Sequence, residues 1–442
     1  MRCTFIPPYL LRRLAEGGNA TDHHTLRLDE ELRQRRIAPV PTFRTGTRIG
    51  SSTRVIYDAH NDEKLPGTVA RQGDPATGDP AVDEAWDHAG LVWQLFDEEF
   101  QRRSVDDQAT PLRISVHYGD HYDNAFWDGR QLVFGDGDGQ IFDRFTKPVD
   151  VLAHEFTHGV IQHTAALAYQ GQSGALNESV CDVFACLTKQ RHLGQTATAA
   201  DWLIGDGIFL PGVRARALRS MTAPGTAYDD PRLGVDPQVG SMADYVETDA
   251  DNGGVHLNSG IPNRAFALAA IALGGHSWER AGRLWYDALT RGEVGPQTDF
   301  RGFAEATVHS AERLFPDDEL VAAAVHNGWQ TVGVLSWPAM PAPVAPAQEP
   351  PPAPLAHRVA VRRFGGYAGV LQTGELDLDD DEPRVVEVRN LLTTVDPQAI
   401  RSTPPAPDRF SYTLEYGPHT LRVSEPDLTP ELYRVVQIVL GQ

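Results

Sequence analysis

Two histidines and three acidic side chains carry the clearest chemical signal in this chain. The stretch HEFTH places His154 and His158 four residues apart. On a helix that spacing sets both imidazoles on one face, a turn apart, so that they can reach one metal ion. Glu155 lies one step round the same helix, able to act on a water at that metal without being a ligand. Short matches of this kind arise by chance, and two half-exposed histidines on an ordinary helix are the plain alternative. A second motif decides against it. Twenty residues beyond His158 comes ALNESVCD, with Glu178 and Asp182 again four apart. A catalytic zinc takes three protein ligands and keeps one open position, and two histidines with one glutamate form such a set. Glu178 is therefore the expected third ligand. Asp182 and Asn177 suit the next layer, holding the outer imidazole N–H groups in one tautomer. The longer pattern HExxHxxGxxH does not apply, because Ile161 stands where its Gly belongs and Thr164 where its third His belongs. His163 is then a surface or packed residue.

With these motifs the chain resembles the thermolysin family of zinc endopeptidases, over roughly residues 48–335. Further stretches carry the likeness: NAFWDG (124–129), Tyr169 eleven residues after His158, LRSM around Arg219, and DNGGVHLNSGI. The resemblance implies an α+β fold of two lobes, a β-rich N-lobe and a helical C-lobe, with one zinc in the cleft between them. It implies that Asn124 and the Ala125 carbonyl hold an extended peptide by backbone pairing. It makes Tyr169 and His256 the donors to the tetrahedral oxyanion, with Asp251 orienting His256, and Arg219 the brace on the substrate carbonyl. Phe142, Phe145, Val151, Ile204 and Leu218 match the lining of a pocket for a large apolar side chain after the cleaved bond. Taken singly, each of those five is also ordinary core. The implied mechanism has zinc lower the pKa of water from about 15.7 toward about 7, with Glu155 moving the proton to the leaving amine. A double calcium site found in many such enzymes is expected to be absent. Asp150, Asp201 and Asp206 fit three of its positions, but Lys189 and Leu203 stand at two others, and calcium needs six to eight oxygens. A single calcium elsewhere remains open.

The elements that must position this site follow from periodicity. VIYDAHN, LPGTVA, LRISVHYG and RQLVFGDG read as strands, and residues 80–100 as a helix capped by Asp79 with Pro80 in its first turn. From 149 to about 335 the pattern is helical. Strands first and helices later fit an α+β enzyme. The expected divisions are 1–50, 51–160, 161–336, a linker at 337–357, and 358–442. Eight of residues 338–354 are Pro, which favours a semi-rigid extended spacer.

Both ends of the chain resemble regulatory segments. CTFIPPYLLRRL is similar to the short propeptide of the protealysin subgroup, which lies over the cleft and is removed autocatalytically. Pro7 and Pro8 would stiffen the segment on an unproductive path through the cleft, with Tyr9 and Leu10 filling pockets. Cys3 could offer a thiolate to the zinc's open position. Removal would fall within RTGTRIGSST (44–53), which is polar. The tail resembles emfourin, a small inhibitor associated with protealysin-like proteases, in RVAVRRFGGYAG, DRFSYTLEY and LTPEL. A fused inhibitor would act at high effective concentration. The expected function is a zinc endopeptidase made as an autoinhibited precursor, cutting before bulky hydrophobic residues. The competing readings are a catalytically silent zincin that acts as a binding protein, and an aminopeptidase, which lacks its acidic anchor here.

Bulk properties bound the partners. A net charge of −21 over 442 residues argues against nucleic acid or an anionic membrane. Peptide or protein substrates, the chain's own terminal segments and a monomeric state are expected. Three cysteines, Cys3, Cys181 and Cys186, make no disulfide framework, and the latter two read as small buried residues. Arg12 and Arg13 interrupt the apolar opening, so a classical signal peptide is not expected. The expectation is a cytoplasmic protein, or one exported by a non-classical route.

Overall fold

The computed structural model describes residues 3–17, 20–34, 54–73, 75–336, 357–365, 370–397, 400 and 410–441. The expected processing region, 44–53, and residues 337–356 of the expected linker lie outside them. The chain divides into two compact units, Met1–Leu335 and Ser336–Gln442.

The larger unit begins with β1 (Cys3–Thr4), α1 (Pro8–Glu16) and α2 (Ala20–Gln34). There follow β2 (Arg54–Asp58), β3 (Thr68–Arg71), α3 (Pro80–Phe100), β4 (Leu112–Val116), β5 (Ala125–Trp127) and β6 (Leu132–Phe134). The strands form one six-stranded sheet in the order β1-β5-β6-β4-β2-β3. Strands β2, β4 and β6 run parallel, and β5 is antiparallel to β6. The outer edge of β5 is covered by β1, antiparallel, with Cys3 opposite Trp127 and Thr4 opposite Phe126. Cys3 and Thr4 thus complete the sheet of the larger unit. Helix α3 starts as expected, the Asp79 carboxylate accepting from the Ala81 and Val82 amides. Its buried face, from Val82 to Phe100, packs into the main core.

The helical half holds α4 (Val149–Gln162), α5 (Gly171–Leu193) and two short hairpins. These are β7 (Leu203–Ile204) with β8 (Arg219–Ser220), and β9 (Asp229–Asp230) with β10 (Gly234–Val235). Then come α6 (Asp251–Asn258), α7 (Gly260–Leu273), α8 (Ala281–Thr290), α9 (Phe300–Leu314) and α10 (Glu319–Thr331). Helices α4 and α5 pack on each other and are buried nearly all round. A helix without an exposed face belongs in the centre of a large unit, where its polar side chains must find partners. The outer helices close over stacked Trp285 and Trp329, centroids 6.0 Å apart.

The smaller unit contains β11 (Arg358–Gly365), β12 (Val370–Asp377), α11 (Pro383–Thr394), β13 (Phe410–Tyr416), β14 (His419–Ser424) and α12 (Pro430–Leu440). Its antiparallel sheet runs β12-β11-β13-β14. Val359, Val361, Leu414, Val388, Leu432 and Val435 form its own core. Helix α12 starts where the sequence signals it, with the Thr429 hydroxyl accepting from the Leu432 amide and Pro430 in the first turn. Among the described residues no helix is long and apolar enough to cross a membrane.

Candidate active site

Helix α4 carries His154, Glu155 and His158, and helix α5 carries Asn177, Glu178 and Asp182; all six are buried. Their pairing is one of layers. The outer nitrogen of each histidine is held, Nδ1 of His154 by Asp182 Oδ1 at 2.9 Å and Nδ1 of His158 by Asn177 Oδ1 at 2.9 Å. The inner nitrogens face Glu178, Nε2 of His154 at 3.4 Å and Nε2 of His158 at 3.7 Å. His154 Nε2, Glu178 Oε2 and both Glu155 oxygens are buried atoms without a hydrogen bond in the protein. Polar atoms buried in this way are costly unless something satisfies them. A zinc ion with a water fits: two neutral imidazoles and one carboxylate present their lone pairs to one point, and their tautomers are set from behind.

The carboxylates and imidazoles also hold one another's charge: against the cost of burial, Asp182 and Glu178 raise His154 from 6.5 to about 9. Burial alone would raise the Glu178 carboxyl, but the imidazoles of His256, His158 and His154 hold it well below the usual carboxylate range. Burial pushes Glu155 up to about 8, and the Glu178 charge adds to this. His154 and the Trp127 amide pull the other way, the amide without reaching hydrogen-bonding geometry. A carboxyl poised to take a proton is what a general base needs.

Cys181 does not behave as a plain apolar residue. Its sulfur lies 3.2 Å from His158 Nδ1, beside Asn177, so it touches the outer side of that ring. His154, His158 and Cys181 do bring one ligand-type atom each within 4.8 Å. The inner nitrogens nevertheless turn to Glu178, and the thiol sits behind the ring rather than with them.

On the opposite wall, His256 Nδ1 meets Asp251 Oδ1 at 2.8 Å, and the His256 amide donates to Asp251 Oδ2. The loop that allows this is left-handed at Asn252, Gly253 and Gly254. A Cβ on Gly253 would come within 2.9 Å of the Gly171 backbone, so the close turn needs glycine there. His256 Nε2 lies 3.3 Å from the Tyr169 hydroxyl, which donates to Glu178. Arg219, on β8, forks onto Asp182 with two bonds of 2.8 Å. The charge of Arg219, with that of His154, keeps Asp182 below its usual range despite burial. Asn263 also donates to Asp182, at 2.8 Å. Nothing in a lone Asn on α7 signals that role; only the fold brings it there.

The N-terminal segment runs through this cleft. The Phe5 amide donates to the Ala125 carbonyl at 3.0 Å, and the Ile6 amide to Asn124 Oδ1 at 2.8 Å. Asn124 Nδ2 donates back to the Ile6 carbonyl at 3.4 Å. Arg219 Nη1 reaches the Phe5 carbonyl at 3.3 Å, and His256 Nε2 the Thr4 carbonyl at 3.3 Å. The Phe5 ring is fully buried, edge-on to His154 at 5.2 Å and against the glycine at 205, whose Cβ would touch it at 3.4 Å. Phe142, Phe145, Val151, Ile204 and Leu218 are all buried in the same core as Phe5. Hairpin β7/β8 sets Ile204 opposite Arg219, which joins pocket wall and carbonyl brace in one unit.

This corrects the expectation for Pro7–Leu10. The residues along β5 are Cys3–Ile6, and they meet the groups expected to hold a substrate. Pro7 and Pro8 instead start α1, with Pro8 in the first turn, because the proline φ suits a helix start and no amide is lost there. Tyr9 and Leu10 lie on that helix; Leu10 is buried and Tyr9 half-buried. Burial holds the Tyr9 hydroxyl in its protonated form, beside Tyr228. The Cys3 side chain lies outside what the structure describes. Phe5 itself carried a signal, a bulky residue shortly before Pro-Pro, but nothing local pointed it at a pocket.

Family models match the chain in three places. Residues 42–162 match the thermolysin metallopeptidase catalytic domain, and 165–334 its alpha-helical domain. The chain belongs to the thermolysin metallopeptidase family. Residues 361–440 match emfourin. An "Extracellular metalloprotease" of Pectobacterium carotovorum is 50% identical over 337 residues, covering 75% of this chain and 96% of that protein. "Protease PrtS" of a Photorhabdus strain is 44% identical over 344 residues, covering 74% and 91%. The solved "Precursor of Protealysin, Metalloproteinase from Serratia proteamaculans" is 51% identical, with a TM-score of 0.68, covering 75% of this chain and 100% of that one. This thermolysin-family chain is thus a zinc metalloendopeptidase with an emfourin domain at its C-terminal end.

Proposed function

We propose that this endopeptidase is made as a precursor blocked by its own first residues, and that once opened it cuts before large apolar residues. The observation that carries the reading is the seating of Phe5: ring in the apolar pocket, amide on Ala125, carbonyl on Arg219. A substrate with a bulky apolar residue after the cleaved bond would take the same place. His154, His158 and Glu178 would hold zinc, which when bound polarises the scissile carbonyl and acidifies water. Asn124 and Ala125 align the peptide and Arg219 braces it. Glu155 accepts the water proton and passes it to the leaving nitrogen. His256, oriented by Asp251, and Tyr169 donate to the oxyanion, where losing one such donor costs on the order of 10²–10³ in turnover.

The test is a quenched internal peptide with Phe at the bond, given to the processed enzyme and to Glu155→Gln. Cleavage on the amino side of Phe, lost in the variant, is the expected result. Trimming from a free N-terminus, or no cleavage by any zinc-loaded form, would overturn it.

The emfourin-like unit is read as a tethered inhibitor, and the enzyme as a monomer. A deletion of 358–442 that leaves the processed enzyme's activity unchanged would remove the first idea, and a dimer in sedimentation the second. Calcium is not expected to stabilise the double-site region. Lys189 Nζ donates to Asp201 Oδ1 at 2.8 Å and to the Leu203 carbonyl at 2.7 Å, which supports an ammonium in that role. The extracellular relatives favour action after export, to be checked by finding the processed form in culture medium.

A further inference from the structure

We infer that the Thr4–Phe5 peptide bond is itself a substrate, cut once by the active site it occupies, in the same molecule. The inference rests on the endopeptidase reading above and goes one step past it. Blocking needs only that the cleft be filled. The segment does more, because the Thr4 carbonyl, the Phe5 amide and carbonyl, and both backbone groups of Ile6 meet His256, Ala125, Arg219 and Asn124. On the carboxyl side of the bond, Phe5 and Ile6 are gripped by Ala125, Asn124 and Arg219. On its amino side, the Thr4 carbonyl faces His256 Nε2 at 3.3 Å, and the Tyr169 hydroxyl lies 3.3 Å from that same nitrogen. The Phe5 ring turns to His154, a metal-site residue. One expected oxyanion donor on the Thr4 carbonyl, with a second beside it and the pocket filled by the very next side chain, is the register of a cleavable bond. A peptide held two residues further along would bring a different carbonyl to His256.

The chemistry balances as one hydrolysis. The oxygen of a water molecule bonds to the Thr4 carbonyl carbon, and the bond from that carbon to the Phe5 nitrogen breaks. One water proton passes through Glu155 to the Phe5 nitrogen, and the products settle as a Thr4 carboxylate and a Phe5 ammonium. Only Met1–Thr4 leaves. The chain from Phe5 onward remains seated, since Phe5, Ile6, Leu10, Leu11 and Leu14 are all buried. The first cut therefore yields a nicked precursor that is still blocked on the carboxyl-side half of the cleft, by its own new N-terminus. Opening the cleft is a separate event.

The test uses the full chain, purified in chelator and started by adding zinc. Intact mass and N-terminal sequencing follow the new terminus at Phe5. The expected result is its first-order appearance, at a rate unchanged across a hundredfold range of protein concentration, and more than about a hundredfold slower in Glu155→Gln. A chain that keeps Met1–Thr4 until its N-terminal segment is removed as a whole would overturn the inference. So would a rate that rises with protein concentration, since the cut would then be between molecules. The quenched-peptide assay keeps the two readings apart. If the processed enzyme cuts that peptide but no Phe5 terminus ever forms, only this inference fails. If zinc-loaded enzyme cuts neither, the endopeptidase reading fails with it.

Discussion

Replacing Phe5 by Ala tests how the cleft is closed. Removing the ring empties a site where it is fully buried, lies edge-on to His154, and sits 4.9 Å beneath the Arg219 guanidinium. Phe→Ala in a core costs about 3–5 kcal/mol. The lower end applies here, because a vacated cleft admits water, so about 3 kcal/mol is the working figure. The backbone bonds to Ala125 and Asn124 are untouched by the change, so the strand is weakened rather than abolished. A loss of about 3 kcal/mol shifts the closed-to-open ratio by roughly a hundredfold. The assay is binding of a fluorescent peptide with Phe at the matching position, in a Glu155→Gln background that prevents turnover. Phe5→Ala should tighten the apparent Kd by roughly a hundredfold, and deletion of residues 1–6 sets the ceiling. A gain under about threefold for Phe5→Ala, beside full opening by the deletion, would show that the backbone strand and not the ring holds the cleft shut. No gain from either would remove the plug altogether.

Three further outcomes are expected. Asn177→Ala removes the oxygen on the outer nitrogen of His158, leaving the weaker Cys181 sulfur beside it, and should weaken zinc binding about 10- to 100-fold, measured by competition with a chelator dye. His117 is held by Asp136 and, against the cost of burial, by Asp79, which raise it from 6.5 to about 9. The fold favours its charged form, so that stabilisation is full below pH 6.5 and fades as pH rises through about 9. Wild type should lose Tm over that window and His117→Gln should lose less; equal slopes would contradict the assignment. Lys189→Met removes the ammonium from Asp201 and from the neighbourhood of buried Asp150, whose pKa burial already lifts to about 6. A loss of about 1.5–3 kcal/mol in urea unfolding is expected, with calcium failing to restore it.

The zinc-site pattern was legible in the sequence because its spacing is local. His154 and His158 lie one turn apart on one helix, as do Glu178 and Asp182, and helical geometry alone brings each pair to one face. Helix starts at Asp79 and Thr429 were equally legible, since a cap acts over three residues. The partners that complete the site were not. Asn263 reaches Asp182 across 81 positions, and no local pattern encodes a hydrogen bond of that span. Cys181 looked like a small apolar residue because its contact with His158 depends on how α4 packs on α5.

The opening residues show the division most plainly. In the sequence Pro7-Pro8 mark a stiff segment and read as its working part. By itself the sequence determined which residues can start a helix, bind a metal or fill an apolar pocket, because those are properties of side chains and of short-range backbone geometry. Only the tertiary structure decided that Cys3 and Thr4 become the edge strand of the sheet and that Phe5, not the prolines, enters the pocket. The physical reason is that a strand's partner and a pocket's occupant are chosen by free backbone groups and apolar surface more than a hundred residues away. Those become neighbours only when the chain closes on itself.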